Sequence, residues 1–116
     1  MTSRNTSPKT PGPGGSVCVL GACNIDLISY VPRLPAEGET LHGTRFQMGF
    51  GGKGANQAVM AARLGARVSM ISKVGADTFG ENTLKNFGDC GVDTTHVRTT
   101  AKAFSGVAPI AVDRAG

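Results

Sequence analysis

The stretch GFGGKGAN, Gly49 to Asn56, sets four glycines at the point where one periodicity gives way to another. Upstream, TLHGTRFQM at 40–48 reads as a strand. Downstream, GANQAVMAARL at 54–64 reads as a helix, because Ala55, Ala58, Val59 and Ala62 fall at i, i+3, i+4 and i+7 and Gly65 supplies a stop. A glycine-rich turn from strand to helix is a binding device. Without Cβ atoms the backbone can take positive φ and approach a ligand closely, and the unpaired N–H groups of the helix's first turn point at any oxygen-rich molecule placed there.

Working outward on the amino-terminal side, SVCVL at 16–20 is a short apolar run ending at Gly21, which suits a strand buried on both faces of a parallel sheet. Asn24 and Asp26 follow at a spacing of two, so in extended backbone both side chains leave the same side, with Ile25 opposite. An amide and a carboxylate at the carboxyl end of a strand occupy the position where open α/β sheets bind ligands. The alternative at this point is that Asp26 caps a turn. The segments at 27–31 and 40–48, separated by a proline-containing loop, read as an outlying β flap able to close over a ligand at the glycine-rich turn.

On the carboxyl-terminal side, RVSMIS at 67–72 reads as the next buried strand, parallel to the first through a right-handed crossover. Asp77 can cap a second helix near 78–88, with Phe79, Leu84 and Phe87 available for packing. Extended structure resumes at 94–99 and again at 105–112, where Pro109 restricts the run to a sheet edge or a bulge.

Composition narrows the function classes. The chain has 116 residues, 40% hydrophobic and 17% charged, which suits one globular α/β unit. Its 12 Lys and Arg against 8 Asp and Glu are scattered, without the clustered basic face of a nucleic-acid binder. Cys18, Cys23 and Cys90 form no C-x-x-C pair and read as reduced thiols, while His42 and His96 are isolated, so no metal site is expected. Residues 1–16 read as a disordered tail; they hold no apolar run for a secretory signal, and nothing downstream is long enough for a membrane span. The first acidic residue is Asp26, a charge pattern a mitochondrial transit peptide would share, but Pro8, Pro11 and Pro13 oppose the amphipathic helix such a peptide needs. The expected location is the cytoplasm, with the nucleus also open.

Three ligand classes compete for the glycine-rich turn. Gly49, Gly51 and Gly54 satisfy G-x-G-x-x-G, but a dinucleotide site needs an acidic residue about 20 positions on; here the next strand ends at Ser72 and Lys73. A P-loop needs glycine where Gln47 stands and Ser or Thr where Gly54 stands. A sugar pocket needs a carboxylate or amide acceptor, backbone N–H donors and an amide that can do both. Asp26, the backbone at 52–54, and Asn24 with Asn56 supply all three.

The run GGKGANQA, with Gly65 and Gly75 beyond it, resembles the first signature of the ribokinase-like (PfkB) carbohydrate kinases. NID at 24–26, PAEGET at 35–40, VGADTFG at 74–80 and SGVA at 105–108 make the likeness closest to the ribokinase branch. It covers residues 17–113, in the family's order. What the resemblance implies is the amino-terminal part of an α/β/α sandwich, a parallel sheet with flanking helices, plus a small β lid with strands near 27–31, 40–48 and 105–112. It implies a sugar site formed by Asn24, Ile25, Asp26, Gly52, Lys53, Gly54, Ala55 and Asn56, with Lys53 orienting the substrate or the loop. It also implies transfer of a phosphoryl group from ATP to the 5-hydroxyl of D-ribose, with Mg2+ and an activating monovalent cation, in a homodimer formed through the lid, with neither nucleic acid nor membrane as partner. Pro109 departs from the aliphatic or small residue expected in that lid strand.

Members of the family are roughly three times longer, and their second half carries the ATP site and a GAGD aspartate acting as general base. No such segment occurs here, so the chain is expected to be a ribokinase fragment or short form, inactive by itself, since phosphoryl transfer depends on positioning and charge stabilisation that one wall cannot supply. A non-catalytic sugar-binding or dimerising module, or a related sugar or nucleoside kinase, is the alternative. A parallel sheet cut short leaves an open edge, so low solubility is also expected.

Overall fold

The computed structural model describes residues 15–116; the tail read at 1–16 lies outside them except for its last two residues, of which Ser16 already belongs to a strand. The element order is β1 (Ser16–Leu20), β2 (Asn24–Tyr30), β3 (Arg45–Gly51), α1 (Lys53–Arg63), β4 (Arg67–Gly75), α2 (Thr78–Asp89), β5 (Val92–Thr100) and β6 (Gly106–Val112). Two three-stranded sheets result, ordered β1-β4-β5 and β3-β2-β6.

The first sheet is wholly parallel, with Val19 opposite Met70 and Val68 opposite Val92. Both of its connections are long crossovers, as parallel pairing requires: β2, β3 and α1 lie between β1 and β4, and α2 lies between β4 and β5. Val68, Met70 and Val74 leave β4 on one face and pack in a single cluster with Ala55 and Ala58 of α1, Phe87 of α2, and Val19, Val92 and Val97. The helical stripe read at 55, 58, 59 and 62 is the face that makes this contact: Ala55 and Ala58 are buried, and Val59 and Ala62 border them. Alanines let the helix axis approach the sheet, while Phe87, 1% exposed, fills the space under α2. Burying such a side chain contributes about 1.5–3 kcal/mol. Both helices lie on this face. The other face carries Leu20, 80% exposed, beside Ile71, so the described residues supply one helical layer and leave apolar side chains on the other side and along β1.

The second sheet is the lid. Central β2 pairs antiparallel with β3 and parallel with β6. Its boundaries differ from those read in the sequence: β2 starts at Asn24 instead of 27, β3 at Arg45 instead of 40, and β6 at Gly106 instead of 105. At the glycines the strand end moves by three residues, from 48 to 51. Strand β3 continues through Gly51, because pairing with Asn24 and Asp26 fixes Gly49 and Gly51 as extended backbone. The turn shrinks to Gly52 alone, at φ 97° and ψ 132°. Strand β5 likewise begins at Val92 and runs to Thr100, longer than the 94–99 expected, and the register slips between Ser69 and Ile71. Pro109 sits on β6, an edge strand opposite Leu27, where a missing N–H costs no ladder bond on the free side.

Candidate sugar site

Asn24 and Asp26 do not extend β1. The chain leaves β1 at Gly21 and crosses to the lid through residues 21–23, and the two polar residues open β2. Gly21 donates to the Ile71 carbonyl at 3.2 Å, and its own carbonyl accepts the Ser72 hydroxyl at 2.7 Å. That hydroxyl lies 3.3 Å from the Cys23 thiol. The crossing is therefore tied to the middle of β4.

Strand alternation puts Asn24 and Asp26 on one face of the lid and Ile25 on the other. Opposite them on that face stand Gly51 and Gly49 of β3 and Gly106 and Ala108 of β6. The small residues are a consequence of space. A Cβ on Gly51 would lie 2.5 and 2.7 Å from the two carboxylate oxygens of Asp26, and one on Gly106 would strike the Asn24 amide oxygen. Spacing in the sequence does not single out Gly49, Gly51, Gly106 or Ala108 as members of this face. Their signal is the glycine and alanine content of two strands, legible only once the register is known. Ile25 is fully buried, so its side chain faces away from Asn24 and Asp26.

At the head of α1 the backbone is equally crowded. Gly54 lies against Gly21, whose Cα would be 2.8 Å from an added Cβ, and Gly52 lies against Ala22 and Cys23. Ala55 donates its amide to the Ala22 carbonyl at 3.1 Å and Asn56 to the Gly52 carbonyl at 2.9 Å. The amides of Lys53 and Gly54 find no acceptor among the described residues, as is usual in the first turn of a helix. No acidic side chain occupies the first turn to compensate them. The Lys53 and Asn56 side chains are exposed, and Asn56 lines the open groove between α1 and β1, whose lining includes neither Asn24 nor Asp26. Gly54 and Ala55 are buried and contribute backbone only. The arrangement thus offers a carboxylate and an amide on a strand face, two free amides at a helix start and an amide side chain on the helix.

A second polar centre holds the rim. Asp77 caps α2 by accepting from Gly80, and also accepts from the amide and hydroxyl of Ser105. The Ser105 amide above all, then the Gly80 amide and the Ser105 hydroxyl, hold the Asp77 carboxyl below the usual carboxylate range. Because the folded value is the depressed one, this contribution is complete above the unfolded value and is lost as pH falls through the folded value. Melting temperatures of the parent and of Asp77→Asn are expected to differ at neutral pH and to converge below about pH 4; a gap that persists unchanged into acid would contradict this origin.

Comparison with known proteins bears on which molecule such a wall fits. The profile of the pfkB family carbohydrate kinases matches residues 15–116. The chain belongs to that family. Within the pfkB kinases it is 48% identical over 97 residues to a deoxyribokinase of Salmonella typhimurium, covering 84% of this chain and 32% of that protein. To a ribokinase of Mus musculus it is 46% identical over 101 residues, covering 87% and 31% respectively. Among solved structures, the ribokinase of Arabidopsis thaliana complexed with ribose and ATP superposes with a TM-score of 0.81 at 34% identity, over 87% of this chain and 33% of that one. The chain therefore spans about a third of the length of the curated pfkB relatives it matches. Its α/β architecture with a lid sheet is the ribokinase-like one. Among the described residues no three His, Cys, Asp or Glu side chains are placed to hold a metal, and no helix is long and apolar enough to cross a membrane.

Proposed function

We propose that this chain forms the sugar-side wall of a ribokinase-type site, in a protein that transfers phosphate from ATP to the 5-hydroxyl of D-ribose. The observation that carries the reading is the convergence of Asn24 and Asp26 on the glycine face of the lid, next to the free amides of Lys53 and Gly54. A pentose presents hydroxyls that donate to Asp26, accept from the amides, and do both with Asn24 and Asn56. The bare Cα atoms of Gly51 and Gly106 give the Asp26 carboxylate and the Asn24 amide room to lie over the neighbouring strands. Closure of the lid would exclude water and orient the 5-hydroxyl.

Among the described residues no three His, Cys, Asp or Glu side chains are grouped to hold a metal. On the family resemblance, ATP, both ions and the proton acceptor are assigned to a segment outside this wall. Incubation of the 116-residue chain with D-ribose and ATP is accordingly expected to yield no ribose 5-phosphate above the no-protein control. Turnover would overturn the assignment of the base to a different segment. A 2-deoxypentose is the neighbouring alternative, given the deoxyribokinase relative, and comparing D-ribose with 2-deoxy-D-ribose in the same titration separates the two.

A second reading, as a pairing module, is favoured by the opposite face of the lid. Phe46, Met48 and Phe50 of β3 and Val107 of β6 are 63%, 42%, 42% and 38% exposed on that face. Contiguous apolar surface of this kind marks an interface, and a second copy of the lid is the occupant proposed. Sedimentation is expected to show a dimer that Phe46→Glu with Met48→Glu converts to monomer; a monomeric parent would exclude it.

A further inference from the structure

Asp77 makes more bonds than a helix cap requires. A cap needs one acceptor for an amide of the first turn, and the bond from Gly80 at 2.8 Å meets that need. Two further bonds join Asp77 to Ser105, and a third joins Ser105 to the end of β4. The Ser105 amide donates to Asp77 Oδ2 at 2.8 Å, the Ser105 hydroxyl donates to Oδ1 at 2.8 Å, and Ser105 Oγ accepts from the Gly75 amide at 2.9 Å. The ring sits where three elements meet: Gly75 ends β4, Thr78 begins α2 and Gly106 begins β6. Two glycines make the space for it. A Cβ on Gly75 would fall on the Asp77 carboxylate and 2.5 Å from the Ser105 nitrogen, and one on Gly80 would fall on the Gly75 carbonyl.

The clasp stands at a necessary point. The lid joins the rest of the protein covalently through residues 21–23 and through Gly52, but β6 is reached by residues 101–104, all of them exposed. Ser105 is the first residue after that loop with bonds to the helical layer. It is followed directly by Gly106, whose bare Cα lies against the Asn24 amide oxygen, and Ala108 two residues on stands opposite Asp26. The position of β6 therefore decides where the Asn24 amide can rest.

We propose that Asp77 is a positioning residue for the sugar site, acting through Ser105 to fix β6 against Asn24. Its consequence for affinity rests on the sugar-wall reading above; its consequence for the lid does not. The test uses the parent chain, Ser105→Ala and Ser105→Thr, followed by amide hydrogen exchange and by titration with D-ribose. In Ser105→Ala, which removes the hydroxyl's bond to Asp77 and the acceptor of the Gly75 amide, exchange in β6 and β2 is expected to rise roughly tenfold or more, while β1 and β4, the Gly75 amide excepted, keep the parent's protection. D-ribose affinity is expected to fall by a similar factor, and Ser105→Thr, which keeps the hydroxyl, to restore both. Equal loosening of both sheets, or no change in β6, would overturn the proposal, as would lid loosening with D-ribose affinity unaltered. If the parent itself fails to bind D-ribose, the sugar-wall reading falls, and the exchange pattern alone still decides whether the clasp holds the lid.

Discussion

Replacing Gly52 with alanine is expected to remove about 3–5 kcal/mol of stability, a large share of the 5–15 kcal/mol typical of a small domain. Two causes act together. At φ 97° and ψ 132° the residue lies where side-chain-bearing residues are strained, at about 1–3 kcal/mol. In addition, the new Cβ would lie 2.5 Å from the Ala22 carbonyl oxygen and 2.8 Å from Cys23 Cα. Those are backbone atoms with no rotamer to change, and moving them breaks the Ala55–Ala22 bond at the head of α1. Gly65 provides the control. It has a similar φ of 92°, but an added Cβ there would meet nothing within 4 Å, so Gly65→Ala is expected to cost only about 1 kcal/mol. Urea denaturation of the two variants reads the difference; equal costs would mean that Gly52 is not in close contact with the crossing segment.

The second large effect concerns ligand. Asp26→Asn is expected to leave the melting temperature near the parent's and to weaken D-ribose by about 2–3 kcal/mol, roughly a hundredfold, because a carboxylate accepting from hydroxyls makes charge-assisted bonds that an amide of the same shape cannot. Gly51→Ala should act in the same direction without touching the carboxyl chemistry: its methyl would lie 2.5 Å from Asp26 Oδ2, and the acidic side chain would turn away to make room. Gly49→Ala is the mild companion, since its Cβ would meet the Asp26 Cβ at an ordinary 3.7 Å. Calorimetric titration orders the three. An Asp26→Asn variant that binds D-ribose as well as the parent would remove Asp26 from the site.

Much of the parallel layer is legible in the residues. The stripe on α1, the cap at Asp77 and the β-rich runs of β1 and β4 each follow from a local rule, and packing on one sheet face leaves those rules in agreement. The lid is less so. Glycines read locally as a turn, yet Gly49 and Gly51 are strand residues, because central β2 has a partner on both sides and the pairing outweighs their low strand preference. Local reading puts Asn24 and Asp26 at the end of β1; the bend at residues 21–23, fixed by Ser72 some 50 residues away, moves them to the start of β2. The link from Asp77 to Ser105 spans 28 residues and leaves no trace in spacing. Side-chain direction follows from the alternation of two, whereas which strands face one another does not.

On the proposed function, the glycine face of the lid and the head of α1 enclose a pentose. Backbone and side-chain amide shifts of the isotope-labelled 116-residue chain, followed during titration with D-ribose, test it most directly. The expected result is a saturable change confined to residues 24–26, 49–56 and 106–108, including the Asn24 and Asn56 side-chain amides. Saturable changes elsewhere with those residues silent, or no change at any D-ribose concentration, would contradict it.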